Sequence, residues 1–372
     1  MSLLSELESA PAGGCTYLLC TTNPGLEDIV AKEFSELALA AALPQPVVEL
    51  RPFGFGGHTL VRAQFREGGD GWQVAARMRS VHHVVRLLYS LQLQPDSAVL
   101  TAVGHAIRER GVDAGIERAQ TFRITSRRSG NHDFSRLDIQ REAGAAVAER
   151  YGTAVDLEEF DLNVRVDVHG RTCVVGTQLT REPLSNRFDR LYRPQATLRP
   201  NVAFALLRLT LASKRTDDGI LLDPCCGSGT VLFETAKRSP EQRIFGSDLD
   251  RRAVAGTHRN LSAAGIGDRV HLACADALEL GSTWAGGRIE AIVTNPPYGV
   301  RLSRNLHFYD FYSRFLAQCG QLLEPGARLG FIAWKRGLVD RANQRLKQFS
   351  RIHVRVVEMG GIYPRIYVMK RR

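Results

Sequence analysis

The sequence predicts an α/β chain, with a doubly wound sheet in the C-terminal half closed by a β-hairpin, behind two smaller α+β units. Three observations carry that expectation. Gly219-Ile-Leu-Leu-Asp-Pro-Cys-Cys-Gly-Ser-Gly-Thr230 is an apolar run that ends on a carboxylate. It passes through a glycine loop into the helical pattern Val231-Leu-Phe-Glu-Thr-Ala, the strand–turn–helix corner of such a sheet. From residue 200 onward strand-like and helical patterns alternate, and before that a strand–helix–strand–strand order suits compact α+β units. The 372 residues suffice for two or three domains.

In order, Thr16–Thr21 reads as a strand, and Asn23-Pro-Gly-Leu-Glu-Asp opens a helix. Asn23 suits its cap, Pro24 its first turn, and Glu27 and Asp28 its positive end. Leu26, Ile29, Val30, Phe34 and Leu37 fall on one helical face, so this helix should cover a sheet. Val47–Leu50 and Thr59–Phe65 read as strands around the turn Phe53-Gly-Phe-Gly-Gly57, and this unit ends near residue 70. A second unit follows to about residue 180. Its helices are Gln73–Arg79, Ser97–Arg110 and Ser135–Tyr151, with Ser135 placed to cap the last. Its strands are Val84–Leu91, Thr121–Thr125, Asn163–Val168 and Cys173–Leu179.

Residues 181–198 lack periodicity but carry Arg181, Arg187, Arg190 and Arg193, facing only Glu182 and Asp189. They read either as a solvated linker or as a phosphate-contacting connector, since guanidiniums pair well with phosphate oxygens. A helix from Pro200 leads into Ile220–Asp223, Val231–Lys237, Arg243–Asp248, Ala253–Ala264, Val270–Cys274, Ala291–Thr294, Phe308–Leu323 and Arg328–Trp334. Ile352–Glu358 and Tyr363–Lys370 flank Gly360-Gly361 as a hairpin. The aromatics Phe308, Phe311, Tyr312 and Phe315 fall at helical spacing and read as core.

A formal net charge of +10, from 49 basic against 39 acidic residues, favours a polyanionic partner. The seven cysteines form no Cys-x-x-Cys pair and no zinc spacing, which excludes a zinc ribbon and suits a reducing cytoplasm. No apolar stretch reaches membrane-spanning length, and the start has no basic n-region, so a cytoplasmic chain without a membrane partner is expected.

The glycine loop is neither of the common nucleotide loops. Gly227-Ser-Gly229-Thr-Val-Leu232 has leucine where the dinucleotide fingerprint needs its third glycine, and no Gly-Lys-Ser/Thr follows. Asp223, at the strand end, would repel a phosphate there but suits an ammonium group. Asp248 ends the next strand, about where an acidic residue grips ribose hydroxyls, while Asp250 reads as the cap of the following helix. Asp276 follows the third strand, placed to accept from an adenine amino group. Each alone could be a helix cap. Downstream, Ile292-Val-Thr-Asn-Pro-Pro-Tyr-Gly299 is a strand ending in an amide clamped by two prolines. Asn295 and the Pro296 carbonyl offer two fixed acceptors, and Tyr298 a stacking ring, although Asn-Pro-Pro also suits a plain turn. Cys225 and Cys226 sit in the glycine loop and read as packed loop residues, not nucleophiles. Lys335 and Arg336, past a strand end, could meet RNA phosphate.

Asp-Pro-Cys-Cys-Gly-Ser-Gly-Thr with Asn-Pro-Pro-Tyr-Gly resembles the Rossmann-like guanine-N2-methyltransferases. Phe122-Arg-Ile-Thr-Ser-Arg-Arg, the helix with Gly144, Val155-Asp-Leu-Glu-Glu-Phe-Asp-Leu and Val174-Val-Gly-Thr-Gln-Leu resemble a THUMP RNA-binding domain. Together they resemble the THUMP-domain tRNA guanine-N2-methyltransferases. Cys225 departs from that pattern, where methionine is common. The resemblance implies a ferredoxin-like domain over 1–70, THUMP over 71–180, a basic linker over 181–198 and the methyltransferase over 199–372. It implies S-adenosyl-L-methionine as cofactor, held by Asp223, Pro224, Cys225, Gly227, Ser228, Gly229, Thr230, Asp248, Leu249, Asp276, Ala277 and Asn295. Asn295, Pro296 and Tyr298 would be catalytic. Arg127, Arg128, Arg187 and Arg193 would meet RNA, and no metal is expected. The implied partner is tRNA, bound by a monomer through its 3′ end and methylated in the acceptor stem, at position 6. The alternatives are an rRNA guanine-N2-methyltransferase, a DNA adenine-N6-methyltransferase and a non-catalytic RNA-binding protein.

Overall fold

The computed structural model describes residues 2–9, 14–65, 72–94, 98–195, 197–211, 219–284, 288–297, 307–334 and 337–372. Tyr298, Lys335 and Arg336 lie outside the described residues. Among the described residues, no helix is long and apolar enough to cross a membrane. The chain divides into two compact units, Met1–Leu184 and Ser185–Arg372, so most of the 181–198 stretch is counted with the second.

The first unit runs α1 (Leu3–Ser9), β1 (Cys15–Thr21), α2 (Glu27–Ala40), β2 (Val47–Leu50), β3 (His58–Gln64), α3 (Trp72–Ala75), β4 (His83–Gln92) and α4 (Val99–Arg110). It continues with β5 (Thr121–Thr125), β6 (Arg128–Ser129), α5 (Arg136–Tyr151), β7 (Ala154–Val155), β8 (Leu162–His169) and β9 (Thr172–Gln178). All its described strands share one sheet, in the order β2-β3-β1-β4-β9-β8-β5-β7, with β6 beside β8. β4 pairs antiparallel with β1 on one side and β9 on the other, which joins the regions 1–70 and 71–180 in that sheet.

The helix expected to open at Asn23 begins instead at Glu27. A turn intervenes in which Leu26 N donates to Asn23 O (3.1 Å) and Gly25 N to the Glu27 carboxylate (3.1 Å). Its predicted apolar face holds: Val30 and Phe34 pack with Leu18, Cys20 and Val61 of the sheet. α5 starts as expected, because Ser135 Oγ accepts from Leu137 N and Asp138 N while Ser135 N donates back to Asp138 Oδ2 (2.7 Å). Val164, Val166 and Val168 of β8 pack with Val103 and Ile107 of α4 and with Ile139 and Val147 of α5. On the opposite face Arg165 Nε donates to Asp167 Oδ1 (2.8 Å) and Arg165 Nη1 to Gln178 Oε1 (2.8 Å). That buried pair holds the next loop, since Arg127 N donates to Asp167 Oδ1 (2.6 Å).

The second unit runs α6 (Pro200–Leu211), β10 (Ile220–Asp223), α7 (Thr230–Arg238), β11 (Arg243–Asp248), α8 (Arg251–Ala263), β12 (Val270–Cys274) and α9 (Leu280–Trp284). Then come β13 (Ile289–Thr294), α10 (Phe308–Leu322), β14 (Leu323–Ala333), α11 (Leu338–Leu346), β15 (Phe349–Val356) and β16 (Arg365–Arg371). The sheet order is β12-β11-β10-β13-β14-β16-β15. The first five strands are parallel, and β16 runs antiparallel to both its neighbours. Between β10 and β13 the order reverses, and open α/β sheets bind ligands at the carboxyl ends of the strands at such a point. Phe311, Tyr312 and Phe315 of α10 pack with Phe331 in the core, as their spacing suggests. The β15–β16 turn has both central glycines at positive φ, Gly360 at 69° and Gly361 at 84°, which suits a two-residue hairpin turn.

Candidate active site at the β10–β13 switch point

β10 is buried throughout and delivers Asp223 to the switch point, 1% exposed. Next to it β13 delivers Thr294, whose Oγ1 donates to Asp223 Oδ1 (2.6 Å). That bond joins the glycine-loop motif to the Asn-Pro-Pro motif across the reversal in strand order. Cys225 N also donates to Asp223 Oδ1 (3.1 Å). Despite both bonds, burial holds the Asp223 carboxyl up at about 7, with the Asp248 charge adding to the rise. A desolvated carboxylate of this kind is short of a cation.

The loop beyond Asp223 is held from three directions. Pro224, Ser228 and Thr230 are buried within it. Gly227 N donates to Asp248 Oδ2 (2.9 Å), and Asp250 N to Asp248 Oδ1 (3.0 Å). Thr257 Oγ1 donates to Gly227 O (2.7 Å), and Asn260 Nδ2 to Ser228 O (3.0 Å). Gly227 (φ 56°) and Gly229 (φ 86°) need the left-handed region, and a Cβ built on Gly227 would meet nothing within 4 Å. The loop is thus tied from beneath and open above. Burial also raises the Asp248 carboxyl, opposed by backbone donors that include Asp250 N and Gly227 N.

Around this loop, Ala275 N donates to Asp248 O (3.1 Å), which sets Asp276 beside it. One Asp276 oxygen accepts from Leu278 N (2.8 Å), a local turn, and Ala277 is buried next to it. Leu249 stands 70% exposed at the end of β11, an apolar cap with nothing of its own to cover. Asp250 takes the capping role expected of it, accepting from Arg252 N (2.8 Å). At the end of β13, Asn295 Oδ1 is buried with no hydrogen-bond partner among the described residues, and Pro296 beside it is buried. An unsatisfied buried acceptor is costly, so this atom is poised for a donor that the described residues do not supply. Burial and the two carboxylates push the Cys225 and Cys226 thiols well above the usual range, which disfavours a thiolate nucleophile.

The residues fit S-adenosylmethionine: open space over Gly227, two desolvated carboxylates, and an exposed leucine beside Asp248. Asp248→Ala should weaken its binding by about 1–3 kcal/mol, the range for stranding polar partners. Calorimetry showing wild-type affinity in that variant would remove Asp248 from the site.

The four candidate RNA arginines divide between the units. Arg127 is exposed, its backbone fixed by Asp167. Arg128 Nη1 is spent on its own loop, donating to His132 O (2.8 Å) and Phe134 O (2.9 Å). Arg187 Nε donates to Glu234 Oε1 (3.0 Å), a carboxylate with no exposed surface, so this guanidinium serves the fold of the second unit. Arg193 is exposed and pairs loosely with Asp189 (3.0 Å). Thr294, Thr257, Asn260 and Arg190 shape the site without having been anticipated. Only Thr294 had a signal, its place directly before Asn-Pro-Pro.

Two family models match the chain: an RMKL-like methyltransferase domain over residues 187–365 and a THUMP domain over residues 100–178. The chain is 33% identical to a tRNA (guanine(6)-N2)-methyltransferase of Thermus thermophilus, over 95% of this chain and 99% of that one. It is 28% identical to the protein of the same name from Archaeoglobus fulgidus, over 94% of this chain and 90% of that one. The crystal structure of TrmN from Thermus thermophilus superposes with a TM-score of 0.79 at 32% identity, covering 96% of this chain and 100% of that one. With a glycine loop, paired strand-end aspartates and Asn-Pro-Pro assembled at one switch point, the chain belongs to the THUMP-containing tRNA (guanine(6)-N2)-methyltransferase family.

Proposed function

We propose that this chain transfers a methyl group from S-adenosylmethionine to the exocyclic N2 of guanine 6 in the acceptor stem of tRNA. The orphaned Asn295 Oδ1 at the end of β13 carries this reading. An exocyclic amine is a weak nucleophile because its lone pair is delocalised into the base. Asn295 Oδ1 and the Pro296 carbonyl each accept one amino hydrogen, which localises the lone pair and aims it. The two prolines fix both acceptors, and Tyr298 is the proposed stacking partner. When bound, S-adenosylmethionine supplies the electrophilic sulfonium methyl. Nitrogen gains the methyl and then loses a proton to water, so no strong base is required. A stem guanine must first leave its pair, at a cost of a few kcal/mol, which stacking and the two acceptors partly offset.

Nucleoside mass spectrometry of tRNA and rRNA incubated with the protein and labelled cofactor tests the reading. Label in N2-methylguanosine of tRNA is expected, lost when the 3′ terminal nucleotides are trimmed. Label in N6-methyladenosine, or only in rRNA, would overturn it.

Arg127→Ala and Arg193→Ala should each weaken tRNA binding and lower the salt slope by about 1, as loss of one phosphate contact does. Arg187→Ala should instead lower stability, by about 3 kcal/mol, because it removes the guanidinium paired with the buried Glu234 carboxylate. Salt titrations of affinity beside thermal melts separate the two roles. Unchanged slopes for Arg127 and Arg193 would remove them from the RNA surface.

A further inference from the structure

The arginine-rich stretch after Ser185 is anchored at four points to α7 and α8, the helices beside the glycine loop. Arg187 pairs with Glu234 of α7 (2.9 Å). Phe188, 2% exposed, stacks on Phe233 with ring centroids 4.3 Å apart. Arg190 Nη1 donates to Thr230 Oγ1 (3.2 Å), the first residue of α7 after the glycine loop. Tyr192 is held by both its backbone groups: its N donates to Asn260 Oδ1 (2.8 Å) and its O accepts from Asn260 Nδ2 (2.9 Å). The same Nδ2 donates to Ser228 O in the loop (3.0 Å). Asn260 is fully buried, so one side-chain amide fastens strap and loop together.

The helix that carries Asn260 is shaped for this. A Cβ at Gly256 would run into the Tyr192 ring, so the strap seats where α8 presents no side chain. Thr257, one residue on, holds Gly227 O. Gly256, Thr257 and Asn260 thus form a single buried stripe with the strap on one side and the cofactor loop on the other.

We propose that residues 187–192 act as a strap that sets the conformation of the glycine loop, with Asn260 and Arg190 as positioning residues for cofactor binding. This rests on the proposed use of S-adenosylmethionine. The loop has two left-handed glycines and carbonyls that would otherwise turn freely. Preorganising it removes an ordering cost from cofactor binding. Asn260 touches no reacting atom. Its effect runs through Ser228 and Tyr192.

Two variants test the strap in the full-length protein. Asn260→Asp keeps the acceptor for Tyr192 N but faces two carbonyl oxygens with a carboxylate oxygen in place of the shared donor. Gly256→Ala leaves the Asn260 amide itself unchanged but blocks the Tyr192 seat. As a helix substitution it would otherwise be favourable. Calorimetry with S-adenosylhomocysteine should show Kd raised about 10-fold in Asn260→Asp and about 5-fold in Gly256→Ala, typical of losing one buried polar contact or its support. tRNA affinity should stay within about twofold in Asn260→Asp, because that side chain is fully buried and meets no phosphate. In the ligand-free protein, amide exchange at residues 226–229 should quicken in both variants. Wild-type Kd and wild-type exchange in Gly256→Ala, or in a folded Asn260→Asp, would overturn the strap. Wild-type protein that fails to bind S-adenosylhomocysteine at all would overturn the proposed function instead.

Discussion

Asn295→Ala should transfer methyl groups about 10²-fold more slowly or worse, as loss of one preorganised polar group at a reacting centre does. The variant removes the acceptor that is buried and unpartnered at the end of β13. Folding should not suffer, because that atom makes no hydrogen bond among the described residues, and relief of an unsatisfied acceptor can slightly stabilise. Cofactor and tRNA affinities should change little, since the amide acts on the amine hydrogens. Single-turnover kinetics give the measurement. A near-normal rate would mean another group orients the amine.

Asp223→Asn should have opposite effects on binding and stability. The carboxyl stands at about 7 in the folded protein against an ordinary 3.8, raised mainly by burial. Between those values the folded form keeps a proton the unfolded chain has lost, so stability falls as pH rises through that window. Replacing the carboxylate by an amide removes the penalty, and the ligand-free variant should melt higher than wild type at pH 8. The same change should weaken cofactor binding by about 10–100-fold, since the cation loses its charged partner. In the wild type, affinity should rise from pH 5.5 to 8 as Asp223 ionises, and binding near pH 6 should release a proton. Calorimetry in buffers of different ionisation enthalpy reads that proton directly. A pH-independent affinity would take Asp223 out of contact with the cofactor's charge.

The central strands β10 and β13 were legible because burial on both faces makes them near-continuous apolar runs ended by a carboxylate or a loop. Asp250, Ser135 and Gly360-Gly361 announced their caps and turn through local chemistry that needs no partner elsewhere. α1 and α11 were not anticipated. α11 packs Leu338, Val339, Ala342 and Leu346 against the core, but that apolar face is only nine residues long. β4 was visible as a strand, but its pairing with both β1 and β9 depends on residues far away in sequence. At the site, the aspartates and Asn-Pro-Pro could be read from position at strand ends. Asn260 could not, since a buried amide in mid-helix looks like a surface one until its partners are in place. Arg187 shows the converse: beside Arg190 and Arg193 it reads as another surface cation, and only the fold reveals Glu234.

The position of β4 in the first unit bears on how that unit is made. β4 ends at Gln92, but its partner β9 begins only at Thr172, so one edge of β4 must wait for some eighty residues of chain before it is covered. Until then the nascent sheet β2-β3-β1-β4 exposes an unpaired strand whose Val85, Leu87 and Tyr89 are buried in the finished unit. Such an edge is a template for wrong partners, and non-local pairing of this kind slows closure. Neither the N-terminal region nor the THUMP region can therefore complete its sheet alone, and the ribosome must deliver both before either is safe from aggregation.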